Sequence, residues 1–362
     1  MKHHSHFSST GLRRLIPALT AFALIASGPA VAQERDSFRI AWSIYVGWMP
    51  WDYGAQSGIV DRWADRYDID IEVVQINDYI ESINLYTAGE FDGVTVTNMD
   101  ALTIPAASGV DTTLAIIGDF SDGNDGVVLE GTDNLADIEG QRVNLVELSV
   151  SHYLLARALD SVGLSERDIT VVNTSDADIV GAFTTPDVTA VTAWNPQLSE
   201  IAAMPDANVV FDSSDIPGEI IDTLALNTEV LEAHPELGMA LTGAWYEIMA
   251  TMSGDDDAAL TARAEMAEAA GTDRSGYETQ LASTRMFYDP AEAVEFVTSE
   301  QPLETMANVR EFAFDQGLLG ETAPSPDFVG IEFSDGSILG SEDNVKLRFT
   351  AEYMEMAAED EL

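Results

Sequence analysis

The chain has no cysteine. That excludes disulfides, thiolate metal centres, a cysteine nucleophile and anchoring through a lipidated cysteine. Histidine is nearly as scarce: beyond residue 32 only His152 and His234 occur. Histidine-based metal sites and Ser-His-Asp catalysis therefore have little to be built from. Basic residues number 16 against 63 acidic ones, and Lys346 is the one lysine after Lys2. A field of that sign makes nucleic acid and anionic lipid surfaces poor partners. Beyond the first 32 residues no apolar run is long enough to span a bilayer, so no membrane anchor is expected in the mature chain.

What the N-terminus does contain is a basic start at Lys2, Arg13 and Arg14, an apolar stretch from Leu15 to Ile25, and a small-x-small pattern at Ala30-Val31-Ala32. This reads as a cleavable export signal over residues 1–32, with the mature protein free in the periplasm. Losing three bases and no acids shifts the formal charge from −47 to −50. Such a surface suits a salty medium and also attracts cations; strong screening reconciles the two.

The mature chain opens on a strand with Phe38, Ile40 and Trp42 on one face, followed by an aromatic loop from Tyr45 to Trp51. Helical and strand patterns then alternate through Ile69–Val74, Tyr79–Ala88, Val94–Thr97 and Thr113–Ile117. That alternation argues for an open α/β sheet. Turn residues crowd Gly118–Gly126, which reads as a crossing into a second α/β series over Val143–Val146, Leu154–Val162, Ile169–Val172 and Val188–Thr192. A return crossing is placed around Ile216 to Leu226, with mainly helical patterns beyond it and an acidic tail, Met354–Leu362, expected to fray. The resulting division is 33–120 for the first part of lobe one, 121–220 for lobe two, and 221–362 for the return and C-terminal helices.

In open α/β sheets, ligands sit outside the carboxyl ends of the strands. That rule selects Trp42, Tyr45, Trp48, Asn98 (with Asp100 just past it) and Asp119 in lobe one, Glu147, Ser149, Trp194 and Asn195 in lobe two, and Asp222 at the return crossing. The set is aromatic, amide and carboxylate, without arginine or lysine. An anion site would want basic forks or a bare helix N-terminus. Here Glu147 stands before the helix that Ser149 or Ser151 begins, where a carboxylate would itself occupy the positive end. Aromatic faces attract cations, and carboxylates accept paired N–H donors. A small planar nitrogen compound, guanidinium or urea, meets both demands. Plainer readings stand beside these: Trp42 shares a face with Phe38 and Ile40, Glu147 and Ser149 fit a helix cap, and Asp122, Asn124 and Asp125 read as turn residues without the glutamate that completes a calcium loop. No nucleophile elbow, cofactor fingerprint or metal cluster is present, so neither an enzyme nor a cofactor is expected.

Taken together, Trp48-Met49-Pro50-Trp51-Asp52-Tyr53, the run from Gln75 to Ser82, Thr97-Asn98-Met99-Asp100-Ala101-Leu102, Gly118-Asp119-Phe120, the run from Asn144 to Tyr153 and Trp194-Asn195-Pro196-Gln197 resemble solute-binding proteins of ABC importers in the nitrate/sulfonate/taurine group. The branch they resemble most is the one associated with urea carboxylase-type gene regions. The resemblance covers most of residues 38–250. It implies a two-lobe periplasmic binding protein (type II), α/β in class, whose cleft between two open sheets closes on one small molecule and then docks on an inner-membrane permease. Glu147, with no basic residue near it, departs from an anion-binding pattern. The reading is thus a binder of guanidinium or urea. The alternatives are the same fold holding a sulfonate, nitrate or pyrimidine precursor, and, further off, a hydrolase using paired carboxylates.

Overall fold

The computed structural model describes residues 36–320 and 322–362. The expected signal segment, residues 1–32, lies outside them. Four strands come first: β1 (Ser37–Trp42), β2 (Asp70–Gln75), β3 (Gly93–Thr97) and β4 (Thr112–Ser121). Five follow: β5 (Asp125–Glu130), β6 (Arg142–Leu145), β7 (Thr170–Asn173), β8 (Ala190–Trp194) and β9 (Ala207–Asp212). The last are β10 (Ile221–Asn227), β11 (Thr284–Met286), β12 (Gly330–Glu332), β13 (Ile338–Leu339) and β14 (Val345–Phe349).

They form two mixed sheets. The larger runs β13-β12-β14-β4-β10-β3-β1-β2, with β11 pairing on the far end of β4; the smaller runs β7-β6-β8-β5-β9. Strands β1, β2 and β3 are parallel, as their helical crossovers require, whereas β10 is inserted antiparallel between β3 and β4. Central β3, GVTVT, is buried throughout, and edge strand β2, DIEVVQ, is largely wet, the contrast expected of inner and edge positions in a helix-covered sheet.

The chain leaves the larger sheet at Ser121 and re-enters it at Ile221. These two crossings are tied to each other. Ser121 Oγ donates to Asp125 Oδ2 at 2.6 Å and lies 2.6 Å from Ser213 Oγ, while Ser213 Oγ accepts from the Gly123 N–H at 2.8 Å. The turn-rich segment is thus shorter than its composition suggests: β4 runs on through Asp119 to Ser121, and β5 already begins at Asp125.

The long helix Pro235–Met252 covers the larger sheet, with Trp245 stacked on Trp51 at 5.2 Å. Gly243 lets the Trp63 ring approach, since a Cβ there would meet it at 2.3 Å. The C-terminal region differs from expectation in two ways. Strands β12 to β14 extend the larger sheet, and the tail is ordered as the helix Glu352–Ala358. That helix does not fray because Tyr353 and Met354 are buried, and Met354 Sδ sits 3.4 Å from the Ile117 N–H.

Candidate ligand-binding site

A cavity with an empty volume of about 270 Å³ opens where the strand ends of both sheets converge. Its water-accessible core is only about 20 Å³, far below the usual 300–1,000 Å³ range of small-molecule pockets, so the cleft is narrow as it stands. The loop after β1 supplies Tyr45 and Trp48, the helix Tyr79–Thr87 supplies Tyr79, and β3 supplies Thr97. From the smaller sheet come Asp125 and Trp194, directly opposite each other on β5 and β8, and Val150 from the helix Val150–Ser161. Ile220 and Asp222 complete the wall from the return crossing.

The rings form a chain across the cleft, edge-to-face at its two ends and tilted between Trp48 and Tyr79. Tyr45 and Trp48 lie 5.0 Å apart, Trp48 and Tyr79 5.6 Å, and Tyr79 and Trp194 5.6 Å. This last contact joins an element of the larger sheet to one of the smaller, and such pairs add specific geometry to plain burial.

Four buried carboxyls stand in this wall or just behind it. Asp222 and Asp125 line it; Asp119 lies behind Tyr45 and Asp222; Asp100 lies behind Tyr79, Thr97 and Val150. Asp100 Oδ2 accepts from the Tyr79 hydroxyl at 2.7 Å, from the Thr97 hydroxyl at 2.9 Å and from the Val150 N–H at 3.4 Å. Burial nevertheless raises Asp100 to about 6, with those hydrogen bonds opposing it. Tyr45 donates to Asp119 Oδ1 at 2.8 Å. Burial raises Asp119 to about 7, against hydrogen bonds from Tyr45 and Asp222. Burial raises Asp125 to about 7 as well, with Ser121 opposing. Asp222 is pushed well up, first by burial and then by the charge of Asp119. Among the described residues, no arginine or lysine lines the cavity.

As two carboxylates, Asp119 and Asp222 each keep a buried Oδ2 without a partner. Yet the two side chains are close enough to hydrogen-bond each other. Both descriptions hold together: a carboxylate only accepts, so a bond between them needs a proton on one. We therefore take the pair to hold one proton at neutral pH.

Of the residues expected from sequence, Tyr45, Trp48, Trp194 and Asp222 line the cavity, and Asp119 is one side chain behind. Five lie elsewhere. Trp42 is buried in the core beside Phe38 and Ile40. Asn98 braces the return crossing, donating to Glu219 O at 3.2 Å and accepting from the Ile221 N–H at 3.1 Å. Asn195 caps its own turn, accepting from the Ser199 N–H at 3.0 Å and donating to Ser283 Oγ at 3.3 Å. Ser149 is the N-cap of the helix Val150–Ser161, accepting from the Ser151 N–H at 3.2 Å. Glu147 is exposed. Its N–H donates to Asn173 Oδ1 at 3.0 Å, and the left-handed backbone at Leu148 (φ 65°) follows it. The carboxylate at the start of that helix is Asp100, which approaches from the larger sheet.

Sequence reasoning passed over Tyr79, Thr97, Asp125, Val150 and Ile220. Asp125 was read as a turn residue because its Ser-Asp-Gly-Asn-Asp-Gly surroundings mask that it opens a strand. Tyr79 directly follows Asp78, whose side chain accepts from the Glu81 N–H at 2.8 Å. That cap signal fixes a helix start beside the strand ends, and it was the clue available.

This is the architecture of periplasmic binding proteins: two α/β sheets joined by paired crossings, with a small cavity between their strand ends. The chain belongs to the NMT1/THI5-like family, whose model matches residues 63–259. No curated protein matches it. Among solved structures, the alkanesulfonate-binding protein SsuA of Xanthomonas axonopodis pv. citri, bound to MOPS, superposes with a TM-score of 0.63 at 18% identity, covering 80% of this chain and 96% of the other. The periplasmic aliphatic sulphonate binding protein SsuA of Escherichia coli gives 0.62 at 18%, covering 78% and 88%. The periplasmic nitrate-binding protein NrtA of Synechocystis PCC 6803 gives 0.57 at 11%, covering 89% and 98%. At these identities the likeness is one of fold. These three neighbours are binding proteins. No described helix is long and apolar enough to cross a membrane.

Proposed function

We propose that this protein is the periplasmic solute-binding component of an ABC importer, and that it captures a small planar nitrogen compound, guanidinium or urea. The observation that supports the ligand is the wall itself: Asp222 and Asp125, backed by Asp119 and Asp100, among four aromatic rings, with no arginine or lysine. A sulfonate or nitrate would meet buried carboxylates and no basic fork. The N–H of Val150, the first residue of the helix after Ser149, points to Asp100 Oδ2 and not to open space. A flat N–H-rich ligand would instead stack on the rings and donate to the carboxyls.

In this reading Tyr45, Trp48, Trp194 and Asp222 touch the ligand. Residues 36–120 with 221–362 form one lobe, 121–220 the other, and the crossings at Ser121 and Ser213 act as the hinge. Ligand that prefers the closed form shifts the population toward it, and the closed form docks on the permease. One feature speaks for urea within the pair: the buried Trp48 Nε1–H has no acceptor, and a carbonyl oxygen would supply one.

The test is a thermal-shift series on the purified protein with guanidinium, urea, taurine, nitrate and polyamines. A saturable rise with guanidinium or urea is expected, because a ligand that binds only the native state stabilises it. A rise confined to taurine or nitrate would overturn the ligand assignment.

A further inference from the structure

The Asp119–Asp222 pair carries an inference that rests on this reading and goes further. We infer that the cavity takes its ligand as a cation, in exchange for a proton held between Asp119 and Asp222, so that charge separates guanidinium from urea.

Asp119 and Asp222 are register partners on the adjacent antiparallel strands β4 and β10. Both are buried, at 0% and 3% exposure. Asp222 lines the cavity and its Oδ2 has no partner in the protein. The far side of Asp119 is sealed by the loop after β1: a Cβ on Gly47 would sit 2.5 Å from Asp119 Oδ2. A compensating charge can therefore reach the pair only from the cavity.

The groups facing the pair supply none. From the loop after β1 comes the neutral Tyr45 hydroxyl, and from β5 comes Asp125, another acid. Tyr277, from the helix Arg274–Leu281, and Tyr288 also lie within electrostatic reach of Asp119. Both are neutral phenols, and Tyr277 donates to Val46 O at 3.1 Å. Arg263 stands beyond those tyrosines, bound to Glu278 at 3.0 Å and to the Gly254 carbonyl at 2.7 Å.

Two ionised carboxylates in contact and out of water are unstable, so one proton stays while the cavity is empty. A cation with two N–H groups along one edge replaces it. The carboxylic acid O–H breaks, its proton passes to solvent, and Asp222 then accepts from the ligand while Asp119 stays ionised behind it. The balance is one cation bound and one proton released. Neutral urea brings N–H donors without charge, so the proton remains and one acceptor stays occupied. Burial and mutual repulsion hold both carboxyls above the ordinary carboxylate range, Asp222 well above it, so the pair still has a proton to give up at neutral pH.

Calorimetric titration of the full protein tests this, with guanidinium chloride and with urea, at several pH values from 5.5 to 8.5, in two buffers of different ionisation heat. Guanidinium affinity should rise steadily with pH across this range, with net proton release on binding. Urea should bind more weakly, with a flat profile and no release. Asp222→Asn should abolish the proton release. If that variant does not fold, Tyr45→Phe serves: Asp119 loses a donor that favours its ionised form, so the profile should move to higher pH. Guanidinium binding that is flat with pH and releases no proton would overturn the inference and leave the proposed function standing, as would equal affinity for urea. Binding of neither would overturn the proposed function itself.

Discussion

Asp119 on β4 faces Asp222 on β10 across one step of the antiparallel ladder, and since a carboxylate only accepts, the two can hydrogen-bond only with a proton on one of them. The larger sheet thus carries its least stable charges where the chain returns from the smaller one. Stability that would come from neutral side chains is given up at that place, and occupancy of the cavity restores it.

The first consequence concerns pH. Asp100, Asp119 and Asp125 titrate at about 6, 7 and 7 in the folded protein, above the ordinary 3.8. The folded state therefore holds these protons more tightly than the unfolded state does. The stability they contribute is complete below about pH 4 and is lost as pH rises through 6 to 7. The melting temperature without ligand should accordingly fall between pH 5 and 8, as followed by circular dichroism, and saturating guanidinium should flatten that fall.

Neutralising the pair should separate stability from binding. Asp222→Asn removes a buried charge and leaves an amide that can donate to Asp119. The variant should melt higher than wild type at pH 8 without ligand, by a margin on the order of 1–4 kcal/mol in stability, yet lose at least tenfold in guanidinium affinity. A variant that melts lower and binds normally would contradict both halves.

Glu147 gives a prediction opposite to the one its sequence position suggests. It is exposed and outside the cavity wall, so Glu147→Gln should change affinity for any ligand by less than twofold in calorimetry. Trp194→Ala, by contrast, removes a ring from the wall. Cation–π contacts are worth roughly 0.5–2 kcal/mol, so guanidinium should weaken by roughly two- to thirtyfold.

Gly47→Ala should be costly for a steric reason, because the added methyl would meet Asp119 Oδ2 and the Tyr45 ring, each at 2.5 Å. Overpacking of this kind costs about 1–3 kcal/mol. Chemical denaturation should show that loss together with weaker ligand binding. Ser149→Ala should cost about 1 kcal/mol through the lost cap with affinity unchanged.

Much of this was legible in the sequence. The alternation of Phe38, Ile40 and Trp42 and the Val/Thr run before Asn98 announce strands, and the rule that ligands meet strand ends leads to Tyr45, Trp48, Asp119, Trp194 and Asp222. What escaped depended on through-space partners. Nothing local shows that Asp100 reaches the helix at Val150, 50 residues on, or that the left-handed Leu148 precedes that helix and leaves Glu147 in solvent. Strands β12 and β13 are only three and two residues long, too short for a pattern to register, and the one alternation in this region is that of Val345, Leu347 and Phe349 in β14. Met354 looks like part of a fraying tail until the tertiary contact with Ile117 buries it.

The most direct test of the cavity as a cation site is a crystal structure of the protein grown with millimolar guanidinium. A planar ligand is expected between Trp194 and the Tyr45–Trp48 pair, within hydrogen-bonding distance of Asp222. An anion in that cavity, with Asp100 drawn away from Val150, would contradict it.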